Sequence, residues 1–325
     1  MRISVVIPVY NVKDYLRDCI DSLLCAAEGF DVEIICVDDG STDDSGRMLD
    51  DMAERDRRLV VVHQPNAGVA AARNRGISRA TGDWLSFVDA DDYVRESYFD
   101  TISSGVKAHP AADLVGFDML PFHGNPVRWQ DCDEAWIDVG IDSRIGNELI
   151  EGSVCTFAYR RDVLGDLRFP PYFLGEDLVY VARAFSRSSS CVVTRRPEYC
   201  YRCHAASATH GKPTPERLRE TIAFFVDMFS ALSSSGKEIG SEFQVARGGE
   251  WLESIPRVLL PLRHRAEWRG VWELWLDSMS AAQGMSGLSD RQRRRAGRVA
   301  KRRTTWSVMW NCLWPGWLRR KGLLK

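Results

Sequence analysis

No run of about 18 or more uninterrupted apolar residues occurs anywhere in the 325-residue chain, so a membrane-spanning helix is not expected. Nine cysteines are scattered without a framework, and Cys200 and Cys203 form the one C-x-x-C. His204 and His210 lie in the same short segment, and the separated second ligand pair of a zinc site is missing. Reduced thiols in a strand and loop are therefore expected. The first apolar run is followed by Tyr10-Asn11-Val12-Lys13 and not by a glycine-rich loop carrying a basic residue, which argues against nucleotidyl transfer onto a sugar phosphate. Met1 to Pro8 enters a strand directly, without the charged, apolar and small-residue order of a signal peptide, so secretion is not expected. No internal repeat is present. Acidic residues are absent after Asp290, a stretch that holds 12 of the 43 Lys and Arg residues; the chain before it carries a net charge of −14. The two parts face different partners.

What is present alternates between strand and helix. Residues 3–10 form a nearly continuous apolar, β-branched run, as in a strand buried on both faces. Leu16, Cys19, Ile20, Leu23 and Leu24 mark one stripe of an amphipathic helix. Strands follow at 32–37, 59–63 and 84–88, with helices near 43–56 and 68–80. This order predicts βαβ units and a mostly parallel sheet flanked by helices. The middle of the chain is mixed, with strands at 113–119, 134–139 and 191–193 and a helix at 177–185. From Thr214 onward the pattern is helical, over 214–229, 241–260 and 266–281. The expected organisation is a catalytic domain over 1–212, a helical extension over 213–290 and a basic tail over 291–325.

In such a sheet ligands bind beyond the carboxyl ends of the strands. Here those ends carry Tyr10-Asn11, Asp38-Asp39, Asn66, and Asp89 with Asp91. Phe87-Val88-Asp89-Ala90-Asp91-Asp92-Tyr93 delivers two carboxylates into a turn at a spacing that holds a hard divalent cation while leaving sites for water and phosphate. Each motif alone has a plainer reading. Asp38-Asp39-Gly40-Ser41 suits a strand-to-helix turn with an N-cap, Asp89 to Asp92 a solvated acidic turn, and Glu176-Asp177 a helix cap. His63, His123 and Arg75 are read as ordinary residues.

Taken together, Val5 to Asn11, Val37 to Asp43, Asn66 to Asn74, Thr81 to Asp92 and Gly175-Glu176-Asp177 resemble an inverting family 2 glycosyltransferase in order and spacing over roughly residues 1–210. The resemblance implies a GT-A fold, a nucleoside diphosphate sugar donor (UDP foremost) and Mn²⁺ or Mg²⁺. It implies that Pro8 bends the chain after the first strand so that Tyr10 and Asn11 meet the nucleotide. Asp39 would accept from the uracil N–H, Asp38 would support its loop, and Asn66 and Arg73 would line the pocket. Asp89 and Ala90 fall at the ribose and donor, with Asp89 and Asp91 at the cation and His210 as a further candidate ligand. Asp177, beside Glu176, becomes the general base. The acceptor would be a glycan or lipid-linked glycan of bacterial-type surface polysaccharide. A catalytically inactive, membrane-associated scaffold on the same fold is the alternative. The chain departs from the family's pattern at Ser153 to Tyr159, where an acceptor pocket is expected to be shaped, and at Cys203 and His204.

The tail combines Arg291, Arg293, Arg294, Arg295, Arg298, Lys301, Arg302 and Arg303 with Trp306, Trp310, Trp314 and Trp317. Interfacial tryptophans and clustered arginines suit an anionic membrane surface, which would place the enzyme in the cytoplasm at the inner face of the membrane. A helix packed on the acidic body is a second reading. Nucleic-acid binding is the least favoured.

Overall fold

The structure is a computed structural model that describes residues 1–123, 136–140, 153–172, 175–204, 214–235, 255, 259, 266–285 and 288–301. Four parallel strands open the chain: β1 (Arg2–Val9), β2 (Asp31–Asp38), β3 (Leu59–His63) and β4 (Trp84–Phe87). Ile3 to Ile7 are at most 1% exposed, which explains a strand with no polar alternation beyond Ser4. Between the strands run α1 (Lys13–Ala26), α2 (Ser45–Ala53) and α3 (Val69–Arg79). The buried side of α1 is Leu16, Cys19, Ile20, Leu23 and Ala26, so the apolar stripe is what docks it on the sheet.

Beyond β4 come the two-residue β5 (Tyr93–Val94), α4 (Tyr98–Ala108), β6 (Leu114–Phe122), β7 (Trp136–Gly140), β8 (Phe157–Arg160), a short α5 (Arg161–Leu164), α6 (Glu176–Arg187) and β9 (Ser190–Arg202). The sheet order is β3-β2-β1-β4-β8-β6-β9-β5, with β7 also on β9. β8 enters antiparallel between β4 and β6, while β6 and β9 run parallel. The sequence pattern did not signal α4 or β8. Ser103 and Gly105 dilute the apolar stripe of α4, and β8 is only four residues, the first three buried, with no alternation to read.

Three further helices follow, α7 (Pro215–Ser234), α8 (Ala266–Ala282) and α9 (Asp290–Lys301). Thr214 caps α7 by accepting from the Arg217 amide at 3.3 Å, and Pro215 takes the first helical position, where its missing N–H costs nothing. Helix α7 lies on α6: Arg183 donates to Asp227 at 2.7 Å, and Phe225, Met228 and Phe229 are buried. One apolar cluster runs continuously from Ile3 through α7 and α8 to Ala296. Among the described residues no helix is long and apolar enough to cross a membrane. The expected helix at 241–260 apart from Ile255 and Leu259, Glu134, His210 and the tail from 302 onward lie outside the described residues.

Candidate active site

The carboxyl ends of β1, β2 and β4 stand side by side, because Val9 pairs with Asp38 and Val6 with Phe87 in the register. Strand β1 continues one residue past Pro8, to Val9, so the bend expected at the proline is not there. Pairing with β4 stops at Val6, so Pro8 sits where one flank of β1 is no longer paired. The bend comes at Asn11, which has φ 51°. An asparagine tolerates that region because its short amide bonds locally. Here Oδ1 accepts from the Thr42 amide at 2.8 Å and the Asp43 amide at 3.3 Å, while its own N–H donates to Ser41 Oγ at 3.1 Å. Tyr10 beside it is 48% exposed, a large apolar ring left at the mouth of the crevice.

The two aspartates after β2 do different work. Asp38 accepts from the Ser41 amide at 3.0 Å and meets His63 Nδ1 at 2.9 Å, and His63 Nε2 reaches Asp50 at 3.0 Å. Burial pushes the Asp38 carboxyl upward, but the bonds from Ser41 and His63 outweigh it and hold the group below its ordinary value. His63 is pushed up, first by its bond to Asp38 and then by Asp50. It is thus a tie between β2, β3 and α2, a role that sequence position alone did not show. Asp39, 3% exposed, accepts from Gln64 Nε2 and the Ala67 amide at one oxygen and from the Gly68 amide at the other, all at 2.8 Å. It thereby shapes the loop that bears the exposed Asn66 and retains one acceptor position at Oδ2. Gly40 has φ 72°, and a Cβ there would lie 2.8 Å from the Asn66 amide nitrogen, so the loop can close only on glycine.

Arg73 is the centre of the arrangement. The residue is 4% exposed, and its guanidinium lies over the Phe169 ring and donates at 2.7 Å to both Asp89 Oδ1 and Glu176 Oε1. One buried cation from α3 therefore joins the turn after β4 to the start of α6. Glu176 is raised to about 7 by burial and then by Asp177, with Arg73 opposing. Burial also raises Asp177, which accepts from the Leu178 amide at 2.8 Å and is half-buried, one position out from Glu176. Both sit in the first turn of α6, entered through Gly175 at φ 83°, where a Cβ would lie 2.5 Å from the Phe224 ring of α7.

The acidic turn is strapped to β9. Tyr199 Oη accepts from the Asp89 amide at 3.1 Å and donates to Asp92 at 2.5 Å, and the Arg202 amide donates to Asp92 at 2.7 Å. Asp92 is 1% exposed and held up to about 8 by burial and then by Asp89 and Asp91. It fixes the turn and presents no oxygen outward, and Ala90 beside it is buried, 3% exposed. Asp89 and Asp91 remain part-exposed, with side chains 33% and 29% accessible. His204 Nε2 lies 2.8 Å from Asp91 Oδ2, and its Nδ1 is buried without a partner. Among the described residues no three His, Cys, Asp or Glu side chains converge as a preformed metal cluster. Two part-exposed carboxylates on a fixed turn still fit a hard cation that takes its remaining ligands from phosphate and water. His204, which the sequence marked only as unusual, is the histidine brought to this turn. Ser153 to Tyr159, where an acceptor pocket was expected, forms a 3₁₀ turn and β8 whose Val154 to Tyr159 side chains are buried.

The chain has relatives among known proteins. The family model described as Glycosyl transferase family 2 matches residues 4–168. Glycosyltransferase GlyA of Streptococcus pneumoniae is 40% identical over 217 residues, 63% of this chain and 31% of GlyA. Putative glycosyltransferase EpsH of Bacillus subtilis is 33% identical over 255 residues, 73% of this chain and 72% of EpsH. The first three curated relatives are matched over only 31% to 38% of their own length. Among solved structures, residues 1–349 of S. aureus TarS in complex with UDP-GlcNAc superpose with a TM-score of 0.69 at 21% identity, covering 92% of this chain and 88% of that one. TarS shares the fold, a mostly parallel GT-A sheet flanked by helices. The matched span runs from β1 through the acidic turn to β8 and takes in just over half of the chain, and with the EpsH match over 73% of it the chain belongs to glycosyl transferase family 2.

Proposed function

We propose that the protein is a metal-dependent, inverting glycosyltransferase that moves a sugar from UDP to a hydroxyl of a glycan or lipid-linked glycan. The observation that carries this reading is the Arg73 bridge, which couples the candidate donor turn at Asp89 to Glu176, the neighbour of the candidate base Asp177 at the head of α6. TarS, with the same fold, holds UDP-GlcNAc, which favours a uridine donor. In this reading Tyr10 and Asn11 flank the nucleotide, and the remaining acceptor position of Asp39 takes the uracil N–H. Asp91, with Asp89 Oδ2, would hold Mn²⁺ or Mg²⁺, and His204 stands ready beside Asp91. When bound, that cation neutralises charge on the departing diphosphate.

Asp177 is the assigned general base. Its raised carboxyl is better matched to a neutral-pH proton transfer than an ordinary aspartate. The acceptor oxygen bonds to C1 as the C1–O bond to phosphate breaks; the bonding pair leaves with UDP, and the acceptor's proton passes to Asp177. Arg73 engages Glu176 Oε1 and opposes the rise of its carboxyl, which leaves Asp177 as the carboxylate not held by the arginine. Contact of residues 291–325 with the inner face of a membrane belongs to the same reading. Release of UDP from UDP-sugars in the presence of extracted surface glycans tests it. Acceptor-stimulated release that Asp177→Asn stops without weakening UDP binding is expected; full release by that variant would move the base elsewhere.

A further inference from the structure

A second feature lies away from this crevice, at the end of the chain that sequence marked as basic. Helix α9 is firmly placed. Ser289 and Gln292 form a reciprocal capping pair, with the Ser289 amide donating to Gln292 Oε1 at 2.9 Å and the Gln292 amide donating to Ser289 Oγ at 3.4 Å. Arg293 donates to the carbonyls of Met285 and Leu288 at 3.2 and 2.5 Å and pairs with Asp290. Ala296 is fully buried beneath the helix.

Between α9 and the turn that ends α8 lies a cavity of about 370 Å³ lined by Gln283, Asp290, Arg293, Arg294, Gly297 and Arg298. Its one carboxylate, Asp290, is neutralised by Arg293. Arg294 and Arg298, one helical turn apart on the same face, are exposed and make no hydrogen bond or ion pair among the described residues. Gly297 between them brings the walls together, since a Cβ there would lie 3.1 Å from Gln283 Oε1. Two unengaged guanidinium forks over a hollow with an amide on its far wall offer the several N–H donors that a phosphate's oxygens can accept from together. Arg291 and Arg295 are exposed on the same arc but outside the cavity.

We propose that this cleft is a phosphate-binding site that takes the phosphodiester or phosphomonoester of an organic phosphate through Arg294 and Arg298. A lipid headgroup and a soluble polyol phosphate share that chemistry. The site is separate from the donor crevice, so UDP binding reports on the transferase reading independently.

The test uses the full chain, titrated at constant ionic strength with glycerol 3-phosphate and sedimented with vesicles of phosphatidylcholine, with and without phosphatidylglycerol. Two double variants remove equal charge: Arg294→Gln/Arg298→Gln in the cavity and Arg291→Gln/Arg295→Gln beside it. The cavity variant is expected to lose about tenfold or more in affinity, the beside-cavity variant less than about threefold, with UDP binding unchanged in both. Loss of both glycerol phosphate and vesicle binding supports a site that takes phosphate from either source. Vesicle binding alone, lost in the cavity variant, assigns the lipid headgroup. Equal losses in the two variants, or no binding of the parent chain to either probe, overturns the site and leaves α9 a solvated basic face.

Discussion

Replacing Arg73 with methionine is the sharpest perturbation available, because methionine can retain the apolar contact on Phe169 while removing a cation that two carboxylates share. Breaking a buried pair from one side costs about 3–5 kcal/mol, since the partner is left as an uncompensated charge. Two features place the expected loss near the lower end, about 3 kcal/mol. The Asp89 side chain is 33% accessible and regains water, and Glu176, already at about 7 with the arginine present, escapes by taking a proton. The sign of the pH dependence follows. Without Arg73 the Glu176 carboxyl rises further, so the variant's native state holds a proton that the parent's has released. The deficit should therefore widen as pH is raised above about 7 and stay constant below it. Urea unfolding followed by tryptophan fluorescence measures it, and adding Glu176→Gln should restore part of the loss, with a coupling of about 1–3 kcal/mol. An Arg73→Met loss below about 1 kcal/mol, or strictly additive variants, would refute the bridge as an organising element.

Asp91→Ala should remove the metal-dependent part of UDP binding while leaving the unfolding midpoint close to that of the parent, because the strap to β9 runs through Asp92 and Tyr199; calorimetry with and without Mn²⁺ checks it. His63, raised by Asp38 and Asp50, contributes stability that is whole below its ordinary value of about 6.5 and is lost as pH climbs through its raised value. His63→Gln should flatten that alkaline decline in melting temperature, and an unchanged slope would show that the tie between β2 and α2 carries no such weight. Gly175→Ala combines a left-handed backbone with a Cβ 2.5 Å from Phe224, so it should cost about 1–3 kcal/mol and slow transfer, read by melting temperature and UDP release. Phe224→Ala in the same chain should return part of the transfer rate by opening that space.

The strands and helices of the first ninety residues were legible because each is a full-length periodic run closed by a polar turn: Leu59–His63 coincides with β3, and Val69–Arg79 falls within the expected helix. Convergence at the strand ends was legible for the same reason, since a parallel register leaves Asp38, Asp39 and Asp89 on one edge. What pattern could not show is long-range. Asp39 turns both oxygens onto the 64–68 loop, Arg73 spans 103 residues to Glu176, and Tyr199 reaches 107 residues to Asp92. Such bonds depend on which strands become neighbours, and the insertion of the four-residue β8 between β4 and β6 left no periodic trace. His204 was hidden likewise: only the pairing of β9 with β5 and β6 brings it to Asp91.

In the proposed function the crevice holds a nucleoside diphosphate through a cation at Asp91. Calorimetric titration of the pure full chain with UDP, GDP and dTDP, each with and without Mn²⁺, addresses it most directly. Binding of UDP that requires Mn²⁺ and exceeds that of GDP and dTDP is the expected result. Absence of binding by all three, with and without the metal, would contradict it and mark the acidic turns as purely structural.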